Sequence, residues 1–173
     1  TWTNSATLVV GWNGNGTLTV SNGGAVSSTF GYVGGAVGST GTATATVTGD
    51  GSAWTTSGYL YVGRDGGASL TVAEGGAVSS QAGSIATEVG TAGTVTVTGT
   101  DSQWTMSDLI FVGCGMTDGQ LVTRGAGTLN ISDSGEVIAP YGIIGSTSTL
   151  SGDGTLMLDG GSLCGHGGFA LVN

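Results

Sequence analysis

The chain has 173 residues, a length typical of a single domain, and its net charge of −9 reflects the presence of only 2 Lys or Arg residues. Two cations cannot neutralise a row of phosphates, which excludes nucleic acid as a partner and disfavours anionic membrane surfaces. No apolar run approaches the ~20 residues of a membrane span, so we expect no direct membrane insertion by this chain.

The first repeated element is a tight turn followed by one variable residue and a large apolar residue, as in Gly51-Ser52-Ala53-Trp54. We call the apolar residue the anchor. Trp2 is a truncated first copy, and successive anchors are 24, 28, 24, 26, 33 and 26 residues apart. The predicted anchors are Trp2, Val26, Trp54, Val78, Trp104, Val137 and Leu163.

Two further elements belong to each unit. One ends in Val-Gly or Ile-Gly, at residues 10–11, 33–34, 62–63, 89–90, 112–113 and 144–145. The other alternates a mostly polar residue, usually Thr, with an aliphatic one, at residues 17–20, 44–47, 69–72, 94–97, 128–131 and 155–158. Alternation with a period of two predicts short strands with one face buried and the other in water.

Each unit therefore contains three short strands, and hydrophobic residues make up 38% of the chain, more than disordered chains contain. A four-residue strand is stable only when it pairs with its copies in neighbouring units, at a spacing of ~4.8 Å. We predict an all-β fold: a right-handed parallel β-helix (a solenoid) of about seven coils, each of about 25 residues with three short strands. In this prediction one β-helix domain spans residues 1–173.

The anchors alternate between Trp and Val in the first five units, which gives a double period of about 50 residues. A β-propeller is therefore the alternative fold, because its blades contain ~40–45 residues in four antiparallel strands. We favour the β-helix because the half-repeat is clear. Indole rings in every coil would lie only ~4.8 Å apart, and an intervening Val leaves room for each ring.

Several strings resemble the repeats of bacterial autotransporter passenger domains: Thr46-Val47-Thr48-Gly49-Asp50-Gly51-Ser52-Ala53-Trp54, Leu60-Tyr61-Val62-Gly63 and residues 69–78. The resemblance covers nearly the whole chain and weakens after about Ser162. It implies a right-handed β-helix from a Gram-negative bacterium, exported through a C-terminal outer-membrane barrel to the cell surface or the medium. We find neither a signal peptide nor a barrel pattern and expect a fragment of a longer passenger.

Passengers of this kind include adhesins, aggregation factors and toxins. We expect a surface or adhesin-type segment that acts in adhesion, in aggregation or as a stalk, and we predict no enzyme activity and no catalytic residue. The expected partners are a host-surface protein or glycan, or another copy of the chain. A glycan-active lyase or hydrolase is the alternative, since such enzymes share this architecture. The sequence offers no aromatic platform for a sugar, because three of the four Trp residues are assigned to the interior.

An acidic column is predicted at the turn before the anchors, where carboxylates of successive coils would lie close together. Asx residues commonly form turns by bonding to their own backbone, and we favour this interpretation. The alternative is a row of weak cation sites, with calcium as the candidate ion, because neighbouring carboxylates repel one another unless neutralised. No calcium-binding nonapeptide is present, so we predict no metal and no cofactor. The column contains Asp50, Glu74, Asp101, Asp133 and Asp159.

The alternating strands also predict two outward files of hydroxyl groups, at Thr17/Thr19, Thr44/Thr46, Ser69/Thr71 and Thr94/Thr96. Thr suits the exposed face of a strand, which explains the files without a ligand. An ice-binding face is the alternative function, although Asn130 and Met157 are expected to interrupt the files.

The fifth unit is the longest, with 33 residues between anchors, and its extra segment lies between Gly113 and Thr128. Insertions in solenoids form loops on one side, often a binding side. A tolerated surface loop is the plain interpretation, and contact with a glycan or a protein is the alternative. The candidate binding residues are Asp118, Gln120 and Arg124, together with Arg64, which leaves the equivalent turn two coils earlier.

Cys114 follows the Val-Gly strand of the fifth unit, and Cys164 follows the seventh predicted anchor. We place the two cysteines at different corners and about two coils apart, beyond the ~7 Å between Cα atoms that a disulfide allows. His166 is the single histidine and has no evident partner for a role in catalysis.

Overall fold

The computed structural model describes residues 1–35, 38, 41–118, 120–158 and 163–164, and of residues 116, 117, 163 and 164 it describes the backbone alone. All regular structure in this part of the chain is β, in three large sheets of seven, seven and six strands and one sheet of two strands. Each circuit of the chain adds one strand to each large sheet. The fold is therefore a parallel β-helix of about seven coils, as predicted. The described residues include no helix with the length and apolarity needed to cross a membrane.

We name the three sheets by their contents. The anchor sheet contains Trp2–Thr3, Ala25–Ser28, Ala53–Thr56, Ala77–Ser80, Gln103–Met106, Glu136–Ala139 and Thr155–Leu158. The aromatic sheet contains Thr7–Val10, Phe30–Val33, Tyr59–Val62, Ala82–Ile85, Leu109–Val112, Tyr141–Ile144 and Leu163–Cys164. The threonine sheet contains Gly16–Val20, Ala43–Thr48, Gly67–Ala73, Ala92–Thr98, Ala126–Ser132 and Thr149–Ser151.

All pairings within these three sheets are parallel in the described residues and bring equivalent residues side by side. Trp2 pairs with Val26, and Val26 pairs with Trp54. The β-propeller alternative is wrong, because its blades require antiparallel neighbours. One antiparallel pair occurs in the described part of the chain, formed by strands Cys114–Thr117 and Gln120–Thr123. This hairpin is the insertion that lengthens the fifth coil.

The core consists of the inward residues of each strand. In the strand Ala92–Thr98, Val95 and Val97 are fully buried, whereas Thr94 is exposed and Thr96 is half-buried. The same alternation continues in the paired strands above and below, so aliphatic side chains form continuous columns inside the coil. Burial of these columns is the main force that stabilises the stack, because a single coil cannot cover its own apolar face.

Large and small residues alternate between the anchor sheet and the aromatic sheet. The rings of Trp54 and Trp104 are fully buried, and each lies against a glycine of the preceding coil. A Cβ built on Gly31 would lie 2.8 Å from Cζ2 of Trp54, and one built on Gly83 would lie 2.6 Å from Cζ2 of Trp104. Glycine therefore provides the space for the indoles, in addition to the intervening Val. The assignment of Trp2 to the interior is wrong, because Trp2 lies on the edge strand of the anchor sheet and is 51% exposed.

The fourth aromatic strand ends earlier than predicted. Ile85 pairs with Val62 on one side and Val112 on the other, so Ile85-Ala86 is the copy of the Val-Gly element. The predicted copy, Val89-Gly90, is wrong, because it lies in the following loop, where Val89 is 78% exposed. Ala86 adopts a left-handed φ of 51°, a conformation that other coils assign to glycine. The substitution of Ala for Gly hid the true copy.

The seventh anchor is also different from the predicted one. Leu156 pairs with Val137, from which it is only 19 residues distant. Leu163 was predicted as the anchor, but it pairs with Gly142 in the aromatic sheet. The prediction assumed a coil of the usual length, whereas the sixth coil is short.

The same short coil changes the end of the threonine sheet. The strand that pairs with Leu129 contains Leu150, not Leu156. Thr155–Leu158, predicted for this sheet, belongs to the anchor sheet instead. Met157 therefore does not interrupt the hydroxyl files, and Thr149 extends them by one coil.

Candidate functional site

The outer face of the aromatic sheet carries a row of aromatic side chains. Tyr32 and Tyr61 are neighbours in register, and their rings stack with centroids 4.7 Å apart and planes inclined by 16°. The ring of Tyr59, on the same strand, lies 5.5 Å from that of Tyr61. Each of these strands ends in an inward Val, so the residue before the Val points outward. The rings form a stacked row along the side of the β-helix.

A small residue interrupts this row at the next coil. Ser84 pairs with Tyr61 on one side and with Phe111 on the other, and it lies at the bottom of a cleft of ≈ 180 Å³. The described residues that line the cleft are Tyr59, Tyr61, Arg64, Ser84, Thr87, Glu88, Phe111, Gly115 and Arg124.

Three charged side chains from three consecutive coils meet at the cleft. Glu88 accepts a hydrogen bond at Oε2 from Nη1 of Arg124 at 2.7 Å, and its Oε1 lies 3.9 Å from Nε of Arg64. Arg64 also donates from Nη1 to the hydroxyl of Tyr32 at 3.2 Å. Its guanidinium carbon lies 5.7 Å from the ring centroid of Tyr32 and 5.1 Å from that of Tyr61, within the range of cation–π attraction.

The cleft concentrates the positive charge of the chain. The sequence contains 2 Lys or Arg residues in total, and both line the cleft. Glu88 neutralises one of these charges, so the cleft is cationic in a chain of net charge −9. Partial burial strengthens the electrostatic interaction of these charges with a ligand, because the protein screens them less than water does.

Tyr61 is a neutral hydrogen-bonding group at this site. Burial is the main cause that raises the pKa of Tyr61 above its ordinary value of 10.0. The neighbouring Tyr32 also raises this pKa, and Arg64 lowers it. The hydroxyl of Tyr61 is therefore protonated at neutral pH and can both donate and accept.

The structure brings together two of the four candidate binding residues. Arg64 and Arg124 meet through Glu88, which the sequence analysis did not single out. Asp118 and Gln120 are both exposed, but they lie at the tip of the hairpin and do not line the cleft.

The described members of the acidic column occupy a row of β-turns. Asp50, Glu74 and Asp133 each hold the second position of a turn closed by a backbone hydrogen bond, and Asp101 holds a third position. Glu74, Asp101 and Asp133 have φ values of 53°, 61° and 51°, a left-handed conformation that Asn and Asp tolerate better than most residues. Asp159 lies outside the described residues.

Two of the carboxylates at these turns accept hydrogen bonds from threonine hydroxyls. Thr48 donates to Oε2 of Glu74 at 2.9 Å, and Thr98 donates to Oδ2 of Asp133 at 2.9 Å. In the described part of the chain, no three His, Cys, Asp or Glu side chains come close enough to hold a metal ion.

Cys114 is a buried free thiol that donates to the carbonyl oxygen of Ile143 at 3.1 Å. Burial raises the pKa of the Cys114 thiol above its ordinary value of 9.0. The backbone of Cys164 pairs with Ile143 in the aromatic sheet, so its predicted place after the anchor is wrong. The state of the cysteine pair stays a prediction, and His166 lies outside the described residues.

The hydroxyl files of the threonine sheet are confirmed in register. One file runs from Thr17 through Thr44, Ser69, Thr94 and Thr128 to Thr149. The parallel file contains Thr19, Thr46, Thr71, Thr96, Asn130 and Ser151. These files lie on a different face from the aromatic cleft.

The aromatic row is the main feature that the sequence analysis missed. Trp was the single residue type weighed as a platform for a sugar, and of the three Trp residues assigned to the interior, Trp54 and Trp104 are buried and Trp2 is exposed. The signal was nevertheless present, because each inward Val at the end of an aromatic strand is preceded by an outward residue. At three of these positions that residue is aromatic, namely Tyr32, Tyr61 and Phe111.

Comparisons with protein-family models, with curated proteins and with solved structures gave no match. The coordinates define the class of protein: a repeat protein with a parallel β-solenoid architecture, whose strands stack in three sheets.

Proposed function

We propose that this chain is an extracellular β-helical segment of a bacterial surface protein, of the autotransporter-passenger kind. It acts in adhesion or aggregation while also serving as a rigid stalk. The face that carries Tyr61, Arg64 and the hairpin is its contact surface. The partner is a host-surface protein or glycan, or a second copy of the chain.

One observation carries this proposal: a row of half-buried aromatic rings and both arginines lie on a single face. Aromatic residues and Arg dominate binding energy at protein surfaces, because they combine apolar area with directed hydrogen bonds. A spacer without a ligand needs no such concentration.

The cleft favours binding over catalysis. Hydrolysis of a glycoside requires two carboxylates about 5–10 Å apart. Among the described lining residues Glu88 is the single carboxylate, and two arginines hold it. We therefore expect no sugar release from common polysaccharides.

The architecture and composition suit the export that this proposal requires. Contacts in a solenoid are between neighbouring coils, so the chain can begin to fold at one end as it emerges from a pore. The low content of charged residues, 8%, suits passage of an unfolded chain to the outside of a Gram-negative cell.

Adhesion of coated beads tests this proposal. Beads that carry the chain are expected to adhere to host cells or glycan surfaces, or to clump with one another. The variant Ser84→Tyr, which fills the cleft, is expected to reduce this adhesion. The control Ser79→Tyr makes the same change in the same coil but on the anchor sheet. Absence of adhesion and clumping with the unchanged chain would overturn the proposal.

Ice binding is a second candidate function, and the register of the last coil favours it. Thr149 continues the file that Met157 was expected to interrupt, so hydroxyl groups repeat over six coils of the described chain. Neighbouring strands space such groups by ~4.8 Å along the file. Thermal hysteresis, a gap between the melting temperature of ice and its growth temperature in a solution of the purified chain, would support this function. The absence of such a gap would exclude it.

A further inference from the structure

We infer that the cleft between Tyr61 and Phe111 binds a single sugar ring that carries a carboxylate, a hexuronic acid, with the carboxylate directed to Arg64. This inference rests on the proposed function and deepens it by naming the class of ligand.

The first argument is the size of the gap in the aromatic row at Ser84. Adjacent strands lie about 4.8 Å apart, so Tyr61 and Phe111 are separated by about 9.6 Å along the row, with Ser84 between them. The stacked pair Tyr32 and Tyr61 shows the natural spacing of rings on this face, 4.7 Å between centroids. One ring inserted at the level of Ser84 would therefore contact the aromatic residues on both sides.

The volume also favours one ring. The cleft measures ≈ 180 Å³, below the about 300–1,000 Å³ of sites for drug-sized ligands. The C–H faces of a pyranose pack well against aromatic rings, while its edge carries hydroxyl groups. The bottom of the cleft offers partners for such hydroxyls, because Ser84 and Thr87 form a hydroxyl pair there with an O–O distance of 3.0 Å.

The second argument is charge. The described lining of the cleft contains Arg64, Arg124 and Glu88, so a neutral ligand would leave a net positive charge uncompensated. A ligand with one negative charge matches this balance. A guanidinium has five N–H donors and prefers planar carboxylates, with which it forms paired hydrogen bonds. Glu88 repels an anion that lies close to its own carboxylate. This repulsion directs the carboxylate of the sugar toward Arg64.

A titration of the purified chain tests the inference. Glucuronate, galacturonate and mannuronate are each compared with the corresponding neutral hexose, and binding is followed by NMR shifts of the tyrosine rings. We expect at least one acid to bind tenfold or more tightly than its neutral partner. This preference should weaken at high salt, because salt screens partly exposed charges.

Two variants locate the binding. Arg64→Gln should remove the preference for the acid, and Arg64→Lys should retain part of it. Ser84→Tyr should abolish binding, while the control Ser79→Tyr binds as the unchanged chain does. Melting curves of each variant show that the fold is retained.

Equal binding of all acids and their neutral hexoses, or undiminished binding by Ser84→Tyr, would overturn the inference. If coated beads adhere while no acid is preferred, the ligand class fails and the proposed function stands. If an acid binds in the cleft while coated beads neither adhere nor clump, the proposed function fails instead.

Discussion

At the scale of single residues, the buried indoles depend on glycines one coil away. Leu60 of the aromatic sheet lies one coil before Val78 of the anchor sheet, and Gly83 lies one coil before Trp104. In each pair a large residue in one sheet is matched by a small residue in the other. Gly31 below Trp54 repeats the same arrangement. This complementary packing explains the double period of the anchors, and it is a property of the pair rather than of either residue.

Gly83→Ala should therefore destabilise the chain by about 1–3 kcal/mol, because overpacked cores must shift side chains or backbone. The matched control is Gly14→Ala, where a Cβ meets nothing within 4 Å. Denaturant unfolding measures both. The double variant Gly83→Leu with Trp104→Val should lose less stability than the sum of its single changes. Strict additivity would contradict the complementary packing.

The indole N–H of Trp104 donates to Oγ of Ser80 at 3.1 Å inside the core. Ser80→Ala leaves that donor unsatisfied and should cost about 1–3 kcal/mol in the free energy of unfolding. Ser28→Ala is the control, since Oγ of Ser28 and Nε1 of Trp54 are both buried without a hydrogen bond in the described structure. Equal losses for the two variants would contradict the assigned hydrogen bond.

Cys114 gives stability a pH dependence. Burial raises the pKa of its thiol in the folded chain above 9.0, so the unfolded chain loses this proton first as the pH rises. The free energy of unfolding should accordingly be constant below about pH 8 and decrease above pH 9. Cys114→Ala should show a smaller decrease between pH 8 and 10. An identical decrease in both proteins would exclude the thiol as the cause.

At the scale of elements, the predictable strands are those with long, uninterrupted alternation. The threonine strands at residues 44–47 and 94–97 were placed in the correct register from sequence, because a slip by one residue would expose their aliphatic face. The turns at Glu74 and Asp133 were also predictable, since polar residues flank Gly or Ser there.

Other elements were hidden by variable loops. Val89-Gly90 copies the motif in a loop, while the true strand ends in Ile85-Ala86. The last strand of the threonine sheet, Thr149–Ser151, is only three residues long. The longer and more regular Thr155–Leu158 was therefore assigned to that sheet in its place. Local patterns identify a strand, but the length of the preceding loop decides which sheet receives it, and sequence periodicity does not reveal that length.

The candidate site was only half predictable for a related reason. Arg64 and Arg124 stood out as the two basic residues, but Glu88 lies in the loop after the displaced strand end. Once Ile85 is aligned with Val62, Glu88 falls in the loop after the strand, as Arg64 does in the preceding coil. The error in register therefore concealed the ion pairs.

The charged group joins loops of three successive coils, so its removal tests an element-scale contact. Glu88→Gln should lower stability by at most about 1 kcal/mol, because the pair is partly exposed to solvent. It should also tighten binding of an anionic sugar, since it removes the competing carboxylate. Glu74→Gln, on the acidic corner, is the control that should leave sugar binding unchanged. Weaker binding by Glu88→Gln would contradict the charge argument.

At the scale of the whole molecule, seven coils at ~4.8 Å each predict a rod of roughly 30–35 Å. Its contacts connect neighbouring coils, so stability accumulates along the axis rather than around one centre. Each face of such a rod can evolve independently. Here one face carries hydroxyl files, and another carries the aromatic cleft and its arginines.

Spin-label distances along the threonine sheet test the central claim of in-register parallel stacking most directly. With one label at Thr17 and the second at Thr94, Thr128 or Thr149, the Cα separations should be about 14, 19 and 24 Å, an increase of about 4.8 Å per coil. A label at Thr155, in the anchor sheet, should depart from this series. Distances that do not increase by one strand spacing per coil would contradict the account.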